Sequence, residues 1–196
     1  MRSYLLKHHS LASLVVRLQA YLHQLMVLDK ELCIRVNRSS QRDGVKTLFR
    51  VVSRLGDGVF WYVLMAAILI YGGDEAVLPV VHMLSVGLIG TAIYKSLKRV
   101  TSRPRPYEVH QDIWLTGRPL DRFSFPSGHT LHAVIFTSLI AVYYPVLLFF
   151  VLPFTLLVAL SRVVLGLHYP SDVLVGAILG YLLADFSLLI IQLFSV

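Results

Sequence analysis

Cysteine and charge are both scarce in this sequence. Its 196 residues include one cysteine, Cys33, and only 15% Asp, Glu, Lys and Arg. A single cysteine excludes an internal disulfide and a cysteine-based metal cluster. Acidic residues are fewer than basic residues, with 11 Asp and Glu against 18 Lys and Arg. Zinc-finger spacings and the aromatic patterns of base-stacking proteins are also missing, so nucleic acid is not an expected partner.

Apolar residues dominate the remainder of the sequence. They make up 56% of the chain, and the mean hydropathy is +0.69, which exceeds the usual range of soluble globular domains. A basic excess on such a chain favours contact with the anionic headgroups of membrane lipids. We therefore expect an integral membrane protein whose environment is the lipid bilayer.

Five segments have the apolar length that a membrane-spanning helix requires, about 20 residues. They are residues 55–71, 76–94, 130–144, 146–165 and 171–194. The sequence contains no internal repeat or linker, and its length suits one domain. We predict an all-α bundle of five transmembrane helices in a single domain, residues 1–196, whose transmembrane catalytic core is residues 55–196.

The first 54 residues have a different, amphipathic pattern. Arg42, Lys46, Arg50 and Arg54 form a basic stripe with a spacing of four, opposite an apolar face. A second apolar face contains Leu11, Leu14, Val15, Leu18, Leu22, Leu25 and Met26. Helices of this kind lie in the membrane interface, so we predict interfacial helices over residues 1–54. The alternative is a weak first transmembrane helix at residues 11–28, which gives six spans.

The distribution of Lys and Arg along the chain predicts its orientation in the membrane. With five spans, one side of the membrane holds residues 1–54, 95–129 and 162–170, and with them all 18 Lys and Arg residues. The positive-inside rule places this basic side in the cytoplasm. The predicted location is thus the cell (inner) membrane, with multiple passes and with the polar loops on the cytoplasmic face.

Three polar blocks interrupt the apolar pattern on that same face. The first runs from Lys98 to Pro106 and contains Arg105. The second is Pro126-Ser127-Gly128-His129 at the start of the third span. The third contains Ser161-Arg162, then His168, then Asp172. Residues that are distant in sequence are therefore expected to meet in one site.

The cations and the helix start in these blocks suit phosphate binding. Phosphoryl transfer depends on positioning and on cations that stabilise the charge of the equatorial oxygens. Lys98, Arg105 and Arg162 can provide these cations, and arginine can bind two oxygens at once. Ser127 and Gly128 begin a helix, where free backbone N–H groups bind anions.

The two histidines can divide the chemistry between them. Asp172 can accept a hydrogen bond from one ring nitrogen of His168, which leaves the other nitrogen as a nucleophile. His129 can protonate the leaving alkoxide and then activate water. The predicted reaction is therefore phosphate removal through a phosphohistidine. No carboxylate cluster or cysteine set of metal-ligand type accompanies these blocks, so we expect neither a metal nor another cofactor.

The three blocks together resemble the signature of the type 2 phosphatidic acid phosphatase superfamily. That signature is Lys-x6-Arg-Pro, Pro-Ser-Gly-His and Ser-Arg-x5-His-x3-Asp, and every position is filled over residues 98–172. The resemblance implies a helical bundle, a nucleophile at His168, an acid at His129 and no metal. Vanadium-dependent haloperoxidases share the pattern but are soluble, unlike this chain.

The signature residues account for the binding of phosphate but do not specify the lipid that carries it. Phosphatidylglycerophosphate, phosphatidate and undecaprenyl pyrophosphate are all candidate substrates, and a cytoplasmic site favours the first two. An alternative function is phosphoryl transfer from a polyprenyl pyrophosphate to another lipid. A non-catalytic membrane scaffold is a third reading, disfavoured because no signature position is lost. The expected partners are the lipid phosphate and membrane lipids, and the oligomeric state stays open.

The deepest charged side chain in the apolar segments is Asp185. Counting along the helices places it at the depth of His82 in the second span, and charges within lipid usually pair. We therefore hypothesise an ion pair between His82 and Asp185 that links these two spans.

Overall fold

The computed structural model describes residues 2–194, and their side chains at 16, 17, 19–21 and 23–194. This part of the chain is helical and contains no strand, which confirms the prediction of an all-α fold. The helices are α1 (Arg2–Asn37), α2 (Asp43–Arg54), α3 (Phe60–Gly72), α4 (Val77–Thr101), α5 (Pro106–Val109), α6 (Gly128–Tyr143), α7 (Leu148–Val164) and α8 (Pro170–Phe194).

Three helical runs in the described chain are long and apolar enough to cross a membrane. They are Asp43–Val109, which includes α2 to α5, Pro145–Val164 and Pro170–Phe194. Helix α6 is apolar but shorter, with 16 residues. Each of the five predicted segments lies on one of α3, α4, α6, α7 and α8. That these helices make five crossings stays a prediction.

One π-helical turn, Leu55–Val59, joins α2 to α3. Gly58 within it has φ +135°, which side chains rarely tolerate, so glycine is required at this kink. Turns of this type break the regular hydrogen-bond pattern and often occur at functional sites. Here the kink presents Asp57 towards the start of α6.

Helix α6 packs against α4, α7 and α8, and its closest approach is to α8. A Cβ atom on Gly180 would lie 2.5 Å from the carbonyl oxygen of Leu131, and one on Gly176 would lie 2.6 Å from that of Ser127. Small residues four apart allow helix backbones to touch in this way. The contact fixes the start of α8 beside the start of α6.

Gly180→Ala is therefore expected to lower the stability of the purified protein in detergent, by about 1–3 kcal/mol for an overpacked core. Thermal unfolding measures the change. The matched control is Gly44→Ala in α2, where a Cβ atom meets nothing within 4 Å. Alanine favours helices over glycine, so the control should be neutral or slightly stabilising. Equal melting of Gly180→Ala and wild type would contradict this packing.

The carboxyl-terminal part of α1 docks onto the core. Asp29, Cys33 and Asn37 are buried at intervals of four residues along one face. The Asn37 amide donates to the carbonyl oxygens of Trp114 (3.0 Å) and Val164 (2.9 Å) and accepts from the Trp114 N–H (2.8 Å). The end of α1 thus joins the long polar loop to the end of α7.

The described side chains in the amino-terminal part of α1 are less buried than those at its carboxyl-terminal end. Of the predicted apolar face, Leu25 and Met26 are exposed, and its other members lie outside the described side chains. Val16 and Tyr21, which are not part of that face, are exposed as well. In the described chain, α1 is not among the candidate membrane spans. Its interfacial position stays a prediction.

The hypothesis of a His82–Asp185 pair is wrong. The His82 ring nitrogen Nδ1 lies 2.9 Å from the hydroxyl of Tyr143, and Asp185 is exposed on the outer face of α8. Equal depth in the membrane did not imply that the two side chains share a helix face. His82 instead connects α4 to the end of α6.

Candidate active site

The three polar blocks meet at one end of the bundle. Lys98 lies in the last turn of α4, Ser127 caps the start of α6, Arg162 lies in the last turn of α7, and His168 and Asp172 lie at the α7–α8 junction. The packing of α6 against its three neighbours brings these helix ends together. All of these residues are buried, and His168 is only 1% exposed.

His168 is held by a tight turn after α7. Its backbone N–H and that of Leu167 both donate to the Arg162 carbonyl oxygen at 3.0 Å, and Gly166 supplies the positive φ of +74° that the turn needs. Burial lowers the pKa of His168 well below its usual value, and the nearby Arg162, Arg105 and Lys98 lower it further. The imidazole is therefore neutral at pH 7, as its predicted role of nucleophile requires.

The predicted hydrogen bond from His168 to Asp172 is looser than expected. Nδ1 of His168 lies 3.6 Å from Oδ2 of Asp172 and has no hydrogen-bond partner. That oxygen accepts the Tyr169 N–H at 2.9 Å instead. Catalytic hydrogen bonds are often long in free enzymes and tighten when substrate binds.

The other oxygen of Asp172 binds Arg103, a residue to which the sequence assigned no role. Arg103 donates from Nη1 to Oδ1 of Asp172 (2.6 Å) and from Nη2 to Asp29 of α1 (2.8 Å). Its guanidinium also lies 4.0 Å from the ring centroid of Tyr169. Asp29 in turn accepts the Ser171 N–H at 2.8 Å. This network holds Asp172 from the side opposite His168.

Lys98 and Arg105 are both oriented by the polar loop. Lys98 donates from Nζ to the Asp121 carboxylate (2.9 Å) and to the Phe123 carbonyl (3.0 Å). Arg105 donates from Nε and Nη2 to the Asp121 carbonyl (3.0 and 2.7 Å) and from Nη1 to the Leu167 carbonyl (2.8 Å). Of the five guanidinium N–H groups, two remain free for an anion.

Arg162 is fixed from the other side of the site. Its Nη1 donates to the Ser53 hydroxyl of α2 at 2.5 Å, while its Nε has no hydrogen-bond partner. A buried guanidinium with an unused donor is costly to maintain and is suited to an anionic ligand.

The start of α6 supplies the second histidine. The Ser127 hydroxyl caps the helix by accepting the Thr130 N–H at 3.4 Å. Gly128 packs closely against Tyr94, and a Cβ atom there would lie 3.0 Å from the Tyr94 ring. Nε2 of the next residue, His129, hydrogen-bonds to the Asp57 carboxylate. His129 is thus oriented by a carboxylate from the kink between α2 and α3.

The comparison with known sequences agrees with this arrangement. A sequence model described as the PAP2 superfamily matches residues 77–194, more than half of the chain. The chain belongs to the PAP2 superfamily. The match includes the three blocks, whereas Asp29, Ser53 and Asp57 precede it.

Individual PAP2 relatives and structures are also similar. The decaprenylphosphoryl-5-phosphoribose phosphatase of Mycolicibacterium smegmatis is 37% identical over 142 residues, 69% of this chain and 73% of that protein. A lipid A 1-phosphatase of Rhizobium johnstonii is 26% identical over 204 residues, 94% of this chain and 80% of that protein. The crystal structure of Aquifex aeolicus LpxE has a TM-score of 0.70 at 26% identity and covers 81% of this chain and 93% of its own.

A cavity of about 390 Å³ opens beside His129 in this PAP2 protein. Its polar end is lined by Asp57, Lys95 and Asp121, and its apolar wall continues along α4 to Leu84. From Lys95 to Leu84 the helix descends about 16 Å at 1.5 Å per residue. The cavity therefore joins a charged end to a surface that suits an acyl or prenyl chain.

Several residues of the site were not predicted from the sequence. Asp29, Asp57, Asp121 and Arg103 each contact a signature residue or its neighbour. The signal available in the sequence of α1 was the spacing of four residues between Asp29, Cys33 and Asn37, which places them on one helix face. Among the described residues, no group of three His, Cys, Asp or Glu side chains is placed to hold a metal ion. Metal independence stays a prediction.

Proposed function

We propose that this protein is a membrane phosphatase that removes phosphate from a lipid phosphate monoester or pyrophosphate through a phosphohistidine at His168. The convergence of Lys98, Arg105 and Arg162 around a buried neutral histidine carries the proposal. Three cations without an equal number of carboxylates suit the charge of a phosphoryl group in its transition state.

The proposed reaction has two displacements. Nε2 of His168 attacks phosphorus, and the bond between phosphorus and the lipid oxygen breaks as His129 protonates that oxygen. His129 then takes a proton from water, whose oxygen attacks the phosphohistidine. Inorganic phosphate leaves and His168 is regenerated. Burial and the charge of Arg162 lower the pKa of His129 to about 4, and the bound Asp57 partly offsets this by favouring the protonated ring.

Arg103 and Asp29 act through Asp172 in this scheme. Their ion pairs fix the carboxylate that faces Nδ1 of His168, so they position the nucleophile without touching substrate. The docking of α1 is thereby part of the active site.

The substrate is a lipid because the cavity beside His129 continues along α4 as an apolar surface. Relatives that act on decaprenylphosphoryl-5-phosphoribose and lipid A support this class. Phosphatidylglycerophosphate, phosphatidate and undecaprenyl pyrophosphate are the further candidates.

Release of inorganic phosphate from these lipids by purified protein tests the proposal. Activity is expected to survive excess chelator and to be blocked by vanadate, which resembles the pentacoordinate transition state. Loss of activity in chelator that a divalent ion restores would contradict a metal-free site. Transfer of labelled phosphate to a second lipid, in place of its release, would favour a phosphotransferase.

We propose that the site faces the cytoplasm, as the positive-inside rule indicates. A cysteine at Gln111 should then resist a membrane-impermeant thiol reagent in intact cells, and one at Asp74 should react. Both positions are exposed. Burial raises the pKa of the native Cys33 thiol to about 12, so it gives no background. Labelling of the cysteine at position 111 and protection of the one at position 74 would indicate the opposite orientation in the membrane.

A further inference from the structure

A second polar cavity lies behind the candidate active site. Its volume is about 470 Å³, it is open to the outside, and it is bordered by α2, the π-helical turn and the loop at residues 115–118. Arg50 and Arg54 line it from α2, and Arg118 lines it from the loop. The cavity is separate from the one beside His129, although Asp57 lies in the wall of both.

The charges in this cavity are not balanced. Asp57 is the one carboxylate in its wall, and Asp57 already pairs with His129. Among the described residues, neither Arg54 nor Arg118 forms an ion pair with a carboxylate. Three guanidinium groups that line one cavity give it a positive potential, which attracts anions.

The wall of the cavity is held in place by hydrogen bonds. Arg50 donates from Nε to the Thr116 carbonyl oxygen at 2.5 Å, and the Thr116 N–H donates to the Leu165 carbonyl at 3.2 Å. The loop that carries Arg118 is thus fixed to both α2 and the end of α7. The exposed side chains of Arg50, Arg54 and Arg118 therefore line an open cavity whose backbone wall is fixed.

Two contacts connect this cavity to the catalytic groups. Ser53, in its wall, accepts the hydrogen bond from the catalytic cation Arg162. Asp57, also in its wall, binds the proposed acid His129. An anion in the cavity would lie one side chain away from both groups.

We propose that Arg50, Arg54 and Arg118 form a second phosphate-binding site next to the catalytic one. Its ligand is a phosphate group, either on the lipid headgroup or as inorganic phosphate. Arginine binds phosphate through paired N–H groups, which suits this lining. The proposal rests on the proposed function, because it takes Lys98, Arg105 and Arg162 as the first phosphate site.

Calorimetric titration of the full-length protein with inorganic phosphate tests the number of sites. Wild type should bind two phosphates per chain, and Arg54→Gln/Arg118→Gln should bind one. The matched control is Arg38→Gln/Arg42→Gln, which removes two exposed arginines outside the cavity and should retain two. Lys98→Gln tests the catalytic site separately, since its failure to remove a phosphate would count against the proposed function alone.

Kinetics on two lipids distinguish the sources of the phosphate. If the site holds a second phosphate of the lipid, Arg54→Gln/Arg118→Gln should raise KM for a lipid pyrophosphate about tenfold, as expected for the loss of one or two charged hydrogen bonds. The KM for phosphatidate, which has a single phosphate, should then stay within twofold of the wild-type value. If it holds inorganic phosphate, both KM values should stay constant and product inhibition should weaken about tenfold. A folded double variant, checked by thermal melting, that matches the control in stoichiometry, KM and product inhibition would overturn the proposal.

Discussion

His168→Ala is expected to lower phosphate release by roughly three orders of magnitude or more, because the change removes the group that forms the covalent intermediate. The side chain is buried among cations and is neutral at pH 7, as attack on phosphorus requires. The measurement is the turnover of a lipid phosphate by purified protein. In the pH profile of wild-type turnover, the acid-side inflection that belongs to His168 should lie below the usual histidine pKa of about 6.5.

The control for this change is His23→Ala, which alters an exposed histidine of α1 and should retain full activity. Asp172→Asn should reduce turnover less than His168→Ala does, since Asp172 orients the ring and does not touch phosphorus. A His168→Ala protein that kept a tenth of wild-type turnover would rule out the phosphohistidine mechanism.

His129→Ala is expected to lower turnover by about 10²–10⁴-fold on an alkyl phosphate, the usual contribution of a general acid. A lipid alkoxide needs a proton to leave, whereas a nitrophenolate leaves without one. The loss of activity in His129→Ala should therefore be much smaller with a nitrophenyl phosphate monoester as substrate. The phosphorylation step is measured here as the release of nitrophenol in the first turnover.

Asp57→Asn should show the same dependence on the leaving group at a smaller amplitude, because Asp57 acts through His129. Equal losses on both substrates in His129→Ala would mean that this histidine binds phosphate and does not supply the proton.

The helices and the signature residues could be predicted from the sequence because both signals are local. Apolar length marked α3, α4, α6, α7 and α8, and the spacing of the motifs marked Lys98, His129 and His168. The structure brings these residues together, while their catalytic roles stay predictions.

The remaining features depend on tertiary packing that spacing does not encode. The sequence assigned no role to Arg103, yet it joins Asp172 to Asp29 on a helix more than 70 residues earlier. Asp57 reaches His129 because a π-helical turn changes the direction of the chain. The pairing of His82 with Asp185 failed because depth in a membrane does not specify which face of a helix a residue occupies.

The central claim is the covalent bond between phosphorus and His168, and rapid quenching tests it most directly. Wild-type protein mixed with a ³²P-labelled lipid phosphate should carry acid-labile, base-stable label on the peptide that contains His168 within the first turnover. His129→Ala, in which water activation is slowed, should accumulate more of that label when a nitrophenyl phosphate is the donor. Full turnover with no label on His168 in either protein would contradict the account and favour direct attack by water.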